Sequence, residues 1–483
     1  MSNSAEKSAI RRISALFDEN SFVEIGGLVS ARSTDFNLQD TQTPGDGVVT
    51  GYGVIDGNLV YVFSQDASVL GGSIGEMHAK KIANIYDMAM KMGAPIIGLI
   101  DCAGLRLQES TDALEAFGTI YNKQALASGV IPQITAIFGN CGGGLGIIPA
   151  LADFTFMAKD GKLFVTSPNA LDENNESKCD TASAAYQSKE SGLADFTGTE
   201  EEVLAGIRQL VSILPANNEE EAPELDCQDD LNRVCADLEN CLEDTSIALA
   251  NISDNNFVCE VKAQYAKEMV TAFIKLNGAT VGAVANRTKV YDDEMKVVAE
   301  YNARLTTAGA AKAAEFVEFC DAFNIPVITL TNTKGFATTV EEEKTISKAV
   351  AKLTYAFANA TTPKVNVVIG NAFGSAYVAM NSKSTGADIV YAWPDAKIGT
   401  MCPKEAVRII YANEIKNAEN KNAFIEEKAA EYKALQTSAL SAAKRGYVDS
   451  IVEPQDTRKY LIGALEMLYT KREDRPVKKH GTV

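Results

Sequence analysis

The chain has 483 residues, and at roughly 150 residues per domain this length predicts two or three domains. Lys and Arg total 45 against 64 Asp and Glu, which gives a net charge of −19. Because an acidic surface repels phosphate and anionic lipid, nucleic-acid and membrane-surface binding are disfavoured. The hydrophobic content of 46% is typical of a globular protein. No stretch approaches the about 18 apolar residues of a membrane helix.

The nine cysteines include no CxxC pair, which disfavours both a zinc ribbon and a disulfide framework. They are typical of reduced thiols, and the N-terminus lacks the apolar core of a signal peptide, so we expect a cytoplasmic protein without a metal. Of the two histidines, His480 lies near the end of a basic tail, which leaves His78 as one candidate for imidazole chemistry. The sequence therefore favours chemistry performed by backbone amides or by a cofactor.

The first part of the chain alternates predicted strands and helices. Residues 47–66 predict a hairpin around an Asp56-Gly57 turn. Apolar periodicity and Gly/Pro boundaries then predict, in chain order, helix 79–93, strand 96–101, helix 114–128 and strand 133–139. Strands that alternate with helices indicate crossover units around a buried sheet.

The second part of the chain repeats this order. APIIGLIDCAGL aligns with IPVITLTNTKGF, and IPQITAIFGNCGGG aligns with TPKVNVVIGNAFGS. The aligned positions differ by 231 in the pairs Pro95/Pro326, Gly104/Gly335, Pro132/Pro363, Gly139/Gly370 and Asn140/Asn371. A helix is again predicted before the first of these strands, over 310–324. We therefore predict two homologous domains, 1–245 and 246–483, with the acidic segment 213–245 as a solvated linker that ends the first.

A cluster of small residues follows a predicted strand in each repeat, over 140–144 and 371–376. A strand that turns sharply into a helix leaves unpaired N–H groups, and small residues let a ligand oxygen approach them. Such turns predict oxyanion holes. Tight packing of a helix on a sheet is the alternative explanation. Neither cluster fits a P-loop or a dinucleotide-binding fingerprint.

The residues from about 44 to 455 resemble the carboxyltransferase subunits of biotin-dependent acyl-CoA carboxylases, such as the propionyl-CoA carboxylase beta chain. They are also similar to the alpha subunits of sodium-pumping acyl-CoA decarboxylases. The resemblance rests on several motifs in the correct order: GDGVVTGYGVIDGNLVYVFSQD, LGGSIGEMHAKKI, GLRLQES, SGVIPQI, PALADFTFM, YAKEMVTAF, CDAFNIP, AFGSAY and YAWPDAKIGTM.

This resemblance implies an α/β fold with two homologous crotonase-like (ClpP/crotonase) ββα-spiral domains in tandem. It also implies transfer of a carboxyl group between carboxybiotin on a carrier protein and the α-carbon of a short-chain acyl-CoA, through a thioester enolate. Two oxyanions then need hydrogen-bond donors. The resemblance assigns the catalytic positions Gly143 and Gly144 to the thioester, and Ser375 and Ala376 to the biotin ureido oxygen.

Further positions match the family's substrate-contacting stretches. Arg106 and Lys81 would shape the CoA pocket or offer a cation to phosphate, and a structural salt bridge is an equally weighted alternative for them. His78 in the same stretch is more often a structural histidine than a base. The resemblance also implies substrate contacts at Gly104, Gly142, Phe373, Gly374, Tyr377 and Val378.

Several positions depart from the family pattern. Ser375 replaces a glycine, and the stretch ATTVEEEKTISKAV over 337–350 replaces a glycine-containing loop, with Lys348 where an arginine is usual. These changes lie beside the biotin region. Val378 suggests a small apolar acyl group.

Biotin is expected on a separate chain. Ala89 to Met92 spells AMKM, the sequence around a biotinylated lysine, but here it ends an amphipathic helix, so we do not expect Lys91 to carry biotin. The expected partners are a biotin carrier protein with either a biotin carboxylase or a membrane decarboxylase subunit, and the family implies a homo-oligomer, commonly a hexamer.

Two alternatives stay open at this point, and a third is disfavoured. The chain could be the alpha subunit of a decarboxylase that uses methylmalonyl-CoA or malonyl-CoA, or a non-catalytic scaffold subunit, which the altered 337–350 loop would favour. A crotonase-type hydratase is disfavoured, since it would show one domain and catalytic carboxylates near the second turn.

Overall fold

The computed structural model describes residues 8–32, 36, 41–223, 227–292 and 294–476, and it shows an α/β protein. The chain forms two compact units that divide after Pro223. The sequence analysis placed the boundary near 245, but Cys235 and Leu238 already belong to the hydrophobic core of the second unit. Within the described residues, no helix has both the length and the apolar character needed to cross a membrane.

The strands are named in chain order. They are β1 (Val23–Glu24), β2 (Val48–Ile55), β3 (Asn58–Gln65), β4 (Ile96–Cys102), β5 (Gln133–Gly142), β6 (Phe154–Ala158), β7 (Lys162–Phe164), β8 (Phe196–Gly198), β9 (Val258–Val261), β10 (Met269–Leu276), β11 (Ala279–Asn286), β12 (Lys289–Tyr291), β13 (Val297–Glu300), β14 (Val327–Thr333), β15 (Lys364–Phe373), β16 (Ile389–Ala392), β17 (Lys397–Gly399) and β18 (Ser450–Ile451).

The α-helices are named in the same way. They are α1 (Ser8–Leu16), α2 (Glu76–Met92), α3 (Thr111–Ala127), α4 (Ile147–Leu151), α5 (Ala184–Lys189), α6 (Glu200–Ile213), α7 (Thr245–Ile252), α8 (Thr307–Ala322), α9 (Val340–Glu343), α10 (Ile346–Asn359), α11 (Gly374–Ala379), α12 (Pro403–Ile410), α13 (Ala412–Asn417), α14 (Lys421–Tyr432), α15 (Ala439–Lys444) and α16 (Thr457–Leu468).

The two sheets have the same topology. In the first unit the order is β1-β2-β3-β4-β5-β6-β8, with β7 paired to the end of β5. In the second unit the order is β9-β10-β11-β14-β15-β16-β18, with β17 paired to the end of β15. Each sheet begins with antiparallel hairpin strands and continues with parallel ones. The structure therefore confirms the internal repeat that the sequence predicts.

The predicted hairpin and helices are confirmed. β2 and β3 join through Asp56 and Gly57, both at positive φ, and Asn277 and Gly278 form the matching turn between β10 and β11. This conformation suits Asn-Gly and Asp-Gly pairs, which tolerate positive φ better than other residues. α2 ends where Gly93 adopts φ 60, as its Gly-Ala-Pro sequence predicts.

The hydrophobic core of the first unit lies between its sheet and two helices. Ile82 and Ile85 of α2 and Ile120 of α3 pack against Ile96 and Ile100 of β4. In the second unit one core joins the sheet to α7 and α16, and α8 packs on the sheet through the ring pair Phe273 and Phe316. At their carboxyl ends, the parallel strands continue into turns.

Candidate functional site

The first glycine-rich turn follows β5. The strand ends at Gly142, a 3₁₀ turn covers Gly143–Gly146, and α4 begins at Ile147. Gly143 has φ 65, a backbone conformation that favours glycine, and a Cβ added there would have no heavy atom within 4 Å. A Cβ on Gly142 would lie 2.6 Å from the Phe164 ring. Position 142 therefore requires glycine because of packing, and position 143 requires glycine because of its backbone conformation.

Gly104 closes one side of this turn. It follows β4 with φ 103, and its Cβ position lies 3.6 Å from the carbonyl oxygen of Gly142. The carbonyl of Gly104 accepts from the backbone N–H of Ile74 at 2.9 Å. Gly104 and Gly142, two of the predicted substrate contacts, thus lie together with Gly143 and Gly144 at the carboxyl ends of two neighbouring strands.

The second turn is built at the equivalent place. β15 ends at Phe373, and α11 begins at Gly374, which has φ 64. A Cβ on Gly374 would lie 3.3 Å from the carbonyl oxygen of Thr400. Ser375 is exposed and Ala376 is fully buried, so the serine side chain points away from the core.

The two residues that follow the second turn differ in exposure. Tyr377 is buried, and burial raises the pKa of its hydroxyl to about 12. Val378 keeps 41% of its surface exposed, and Ile147 of the first repeat, at 147 + 231 = 378, keeps 40%. Each turn is thus followed by one exposed aliphatic side chain, which suits contact with an apolar group.

The N-cap residues of the two turns have no side-chain acceptor. Gly142 and Phe373, at the N-cap positions, make no side-chain capping bond. The first backbone N–H groups of a helix have no partner within that helix, so a ligand oxygen can accept from them. Each turn can therefore stabilise a developing oxyanion through backbone donors alone.

Arg106 lies in a buried ion cluster rather than in an open pocket. Its guanidinium donates to Asp46 at 2.6 Å, to Glu109 at 2.7 Å and to the carbonyl oxygen of Ser73 at 2.7 Å. Burial raises the pKa of Asp46, and Arg106 partly offsets this. Glu109 also accepts from the backbone N–H of Glu76 at the start of α2. These contacts favour the salt-bridge interpretation of Arg106 over a phosphate contact.

His78 is fully buried against the same cluster. Its Nδ1 lies 2.9 Å from the carbonyl oxygen of Asp46, and its Nε2 lies 3.2 Å from the Gln65 amide nitrogen. Burial, aided by the charge of Arg106, lowers the pKa of His78 to about 3. The geometry supports a structural role, and the imidazole is neutral at physiological pH. His480 lies outside the described residues.

Lys81 is also bound by backbone. Its ammonium donates to the carbonyl oxygens of Gly45, at 2.9 Å, and Val48, and burial lowers its pKa. Lys312 occupies the matching position of the second repeat, since 81 + 231 = 312, and donates to two carbonyl oxygens, each at 2.9 Å, of Lys262 and Tyr265. The recurrence favours a structural role in which each lysine holds the loop before a hairpin.

The altered stretch 337–350 is ordered as α9 and the start of α10. Glu342 accepts from the backbone N–H of Thr307 at 2.7 Å, so it caps α8 as Glu109 caps α2. Lys348 is exposed. Glu342, in the acidic run that departs from the family pattern, therefore has a structural role. Lys91 lies in the last turn of α2, as the sequence predicts.

Tyr121 on α3 escaped the sequence analysis. Its hydroxyl donates to the carbonyl oxygen of Gly144 inside the first turn. The helical pattern of α3 places this side chain on the face toward the sheet, but nothing in the sequence alone shows that the hydroxyl reaches a residue 23 positions away.

Comparison with known proteins defines the class. The family model described as "Carboxyl transferase domain" matches residues 3–483. The chain belongs to the carboxyl transferase domain family.

Individual relatives match over nearly the whole chain. The alpha subunit of methylmalonyl-CoA decarboxylase from Propionigenium modestum is 40% identical over 99% of this chain and 93% of its own length. The corresponding subunit from Veillonella parvula is 42% identical over 98% and 92%. The carboxyltransferase subunit of propionyl-CoA carboxylase from Haloferax mediterranei is 40% identical over 98% and 93%.

A solved structure agrees with these relatives. The crystal structure of transcarboxylase 12S with hydrolysed methylmalonyl-coenzyme A bound superposes with a TM-score of 0.93 at 37% identity, covering 98% of this chain and 92% of that one. Transcarboxylase 12S assembles as a hexamer. These findings confirm the predicted family, the crotonase-like α/β fold and the prediction of a biotin-dependent acyl-CoA carboxyltransferase.

Proposed function

We propose that this chain moves a carboxyl group between carboxybiotin on a separate carrier protein and the α-carbon of a short-chain acyl-CoA. The observation that supports this proposal is the pair of uncapped turns at equivalent places of the two repeats, after Gly142 and after Phe373. Two turns provide donors for two oxyanions, one on the thioester and one on the ureido group.

The first turn would act on the acyl-CoA. In the decarboxylation direction, the bond between the α-carbon and the carboxylate breaks, CO2 leaves, and the bonding electrons remain in the thioester enolate. The N–H groups of Gly143 and Gly144 would donate to the enolate oxygen. Loss of one such donor costs about 3 to 4 kcal/mol in other enzymes. Gly104 and Gly142 would hold this turn against its neighbouring strand.

The second turn would accept the ureido group. Biotin, when bound, supplies the ureido nitrogen that carries the carboxyl group and exchanges the α-proton. The N–H groups of Ser375 and Ala376 fit one ureido oxygen because they are uncapped and the Ser375 side chain does not fill the turn. The proposal needs no side-chain base near either turn, and His78 is buried and neutral.

Free biotin tests this proposal directly. Purified protein is mixed with biotin and, separately, with malonyl-CoA, methylmalonyl-CoA and glutaconyl-CoA, and loss of the carboxyl group is followed by mass spectrometry. We expect biotin-dependent decarboxylation of malonyl-CoA or methylmalonyl-CoA, because Val378 is aliphatic and exposed. Preference for glutaconyl-CoA would contradict a small apolar acyl group. A folded protein that binds CoA but turns over none of the thioesters would point to a scaffold subunit.

A second candidate is the alpha subunit of a sodium-pumping acyl-CoA decarboxylase. The 40% and 42% identities to two methylmalonyl-CoA decarboxylase alpha subunits support it as directly as the propionyl-CoA carboxylase relatives support carboxylation. Neighbouring genes separate the two: a biotin carboxylase gene favours carboxylation, and a multi-span membrane subunit favours decarboxylation.

The proposal includes the assembly. We propose a homo-hexamer, by analogy with the hexamer assembly of transcarboxylase 12S. It would work with a biotin carrier protein and with either a biotin carboxylase or a membrane decarboxylase subunit. We keep the cytoplasm as the proposed location because all nine cysteines are free. Native mass spectrometry tests the oligomer, and a trimer or a monomer would contradict it.

A further inference from the structure

Helix α3 lies along the first turn and contacts it through one face. Phe117, Tyr121 and Gln124 are spaced four and three residues apart, which places them on the same side of the helix. The Tyr121 hydroxyl donates to the carbonyl oxygen of Gly144, and the Gln124 amide donates to that of Ile148 at 3.0 Å. Two side chains of one helix thus bind consecutive backbone segments of the turn and of α4.

The Tyr121 ring is itself held in place. It packs against Phe117 with the ring centroids 6.0 Å apart. A Cβ added to Gly144 would lie 3.1 Å from the Tyr121 hydroxyl oxygen and 4.0 Å from the Phe117 ring. The hydroxyl therefore reaches the turn from a packed ring, and it fills the space beside Gly144.

The Ile147 N–H bonds to the carbonyl oxygens of Gly144 and Leu145 within the first turn, and Tyr121 adds an anchor from outside it. Gly142, Gly143 and Gly144 have more backbone freedom than any other three residues would have, and an open space surrounds the Cβ position of Gly143. Because the peptide unit is planar, a donor that fixes the Gly144 carbonyl also fixes the N–H of Leu145 in the same plane. The N–H of Gly144 is then separated from a fixed peptide only by the φ and ψ rotations of Gly144. Fixed donors stabilise an oxyanion without the cost of reorganising during the reaction.

We propose that Tyr121 is a positioning residue for the candidate thioester site, whose hydroxyl holds the Gly144 carbonyl and thereby orients the N–H groups of the first turn. This inference rests on the proposed function and deepens it. Tyr121 does not touch the reacting atoms. It acts through the backbone of Gly144, and removal of the hydroxyl reduces turnover more than substrate affinity.

The second repeat supports this role by contrast. In the register that pairs Glu109 with Glu342, Thr354 is the position equivalent to Tyr121, since 121 + 233 = 354, and its hydroxyl donates to the carbonyl oxygen of Val350 in its own helix at 2.8 Å. The second turn has a single glycine, Gly374, which lies between Phe373 and Ser375 and is followed by Ala376. The side chains of these three neighbours restrict the backbone of the turn. It therefore has less need of a hydroxyl anchor.

The test compares Tyr121→Phe with Tyr52→Phe. Tyr121→Phe keeps the ring and removes only the hydroxyl. Tyr52 is a half-buried tyrosine of the same unit that packs on Tyr61, away from the turn, so it is the matched control. In biotin-dependent decarboxylation we expect Y121F to lower kcat about tenfold with less than a twofold change in KM for the acyl-CoA, and Y52F to change neither.

Hydrogen–deuterium exchange of the peptide over 139–151 gives a readout that does not depend on activity. We expect exchange several-fold faster in Y121F and unchanged in Y52F. Unchanged exchange together with unchanged kcat would overturn the role of Tyr121. If the wild type turns over no thioester, the proposed function fails, and the exchange result still decides whether the hydroxyl holds the turn.

A double substitution sharpens the result. Gly144→Ala places a Cβ 3.1 Å from the hydroxyl oxygen, and Tyr121→Phe removes that oxygen. We expect G144A to lower kcat by a larger factor in the wild type than in the Y121F background. Equal factors in both backgrounds would show that the two groups do not interact, which contradicts the proposal.

Discussion

The two glycine-rich turns occupy equivalent places in the repeats but are stabilised differently. The first consists of three glycines and is held from outside by α3, through Tyr121 and Gln124. The second is restricted by the side chains of Phe373, Ser375 and Ala376, and the α11 segment after it is held by the sheet, since the Asn366 amide donates to the carbonyl oxygen of Met380 at 3.3 Å. One backbone geometry can therefore be kept either by anchoring flexible glycines or by using less flexible residues.

The surroundings of the turns differ in charge as well. In the first unit Arg106 is buried between Asp46 and Glu109, and Glu109 also caps α2. In the second unit Glu342 caps α8 without a buried arginine in the equivalent place, which is Ala337. At this place the first unit thus has a complete ion cluster and the second unit a single hydrogen bond. The buried arginines of the second unit, Arg287 and Arg458, pair with carboxylates elsewhere.

The largest expected effect is on this ion cluster. Arg106→Met leaves two buried carboxylates without their cation, which we expect to cost about 3 to 5 kcal/mol of unfolding free energy. Arg11→Met is the matched control, because Arg11 is 62% exposed and pairs with Glu200 at 3.4 Å. Denaturant unfolding measures both variants. A loss for R106M no larger than that for R11M would show that the cluster does not stabilise the first unit.

Alanine at the two positive-φ glycines compares the turns directly. Gly143→Ala and Gly374→Ala each force a non-glycine residue into the left-handed region, at about 1 to 2 kcal/mol. G374A also crowds the Thr400 carbonyl oxygen at 3.3 Å, whereas the space at Gly143 is open. We expect kcat to fall about tenfold in G143A and further in G374A, with a raised KM for free biotin only in G374A.

The control for these two substitutions is Gly463→Ala in α16. Gly463 lies inside a helix without positive φ, and no heavy atom lies within 4 Å of its Cβ position. Alanine there should keep full activity and leave stability equal or higher. A smaller loss in G374A than in G143A would contradict the crowding by Thr400.

The helix cap formed by Glu342 should have a smaller effect. Glu342→Gln replaces a charged acceptor for the N–H of Thr307, and we expect a loss of about 0.5 to 1 kcal/mol in unfolding free energy. Glu343→Gln, an exposed neighbour on α9, should leave stability unchanged. Thermal unfolding of both variants decides this. An equal change in the two would show that the cap does not contribute.

An effect of similar size depends on pH. Burial, followed by the charge of Asp195, raises the pKa of Asp153 from 3.8 to about 7. The folded chain then binds this proton more tightly than the unfolded chain, so the unfolding free energy falls as the pH rises from about 4 to about 7. Asp153→Asn removes this loss, and we expect a gain in stability of about 1 kcal/mol at pH 8 and a smaller one at pH 5.5.

Asp388 of the second repeat is the matched comparison for Asp153. It accepts from a backbone N–H in the same way, but Lys471 also pairs with it at 2.9 Å. Asp388→Asn should therefore destabilise the protein where Asp153→Asn stabilises it. Thermal unfolding at both pH values checks this, and a change of the same sign in both variants would contradict the difference between the repeats.

Much of the fold could be predicted from the sequence because its signals are local. The Asp-Gly turn, the helix end at Gly93 and the small-residue turns after two strands each lie within a few residues of the structure they specify. The internal repeat extended these local signals to the second unit, where α8 and β14 follow in the expected order.

The roles of the charged residues could not be predicted in the same way. The sequence is equally compatible with Lys81 and Arg106 as phosphate ligands or as structural cations, because their partners lie far away in sequence. Arg106 bonds to Asp46 across 60 residues, and Lys81 bonds to Gly45 across 36. Only the folded structure, in which these segments lie together, shows that both cationic side chains are hydrogen-bonded to groups of the protein itself.

The sequence by itself determined the repeated strand–helix order, the two turns and the family, because periodicity, glycine positions and motifs are read along the chain. The tertiary structure decided which groups remain available. It buries Arg106, His78 and Lys81 among backbone and carboxylate partners, and it brings the Tyr121 hydroxyl to Gly144. The physical reason is that availability depends on burial and on partners from distant segments, and both arise only when the sheet and its helices pack together.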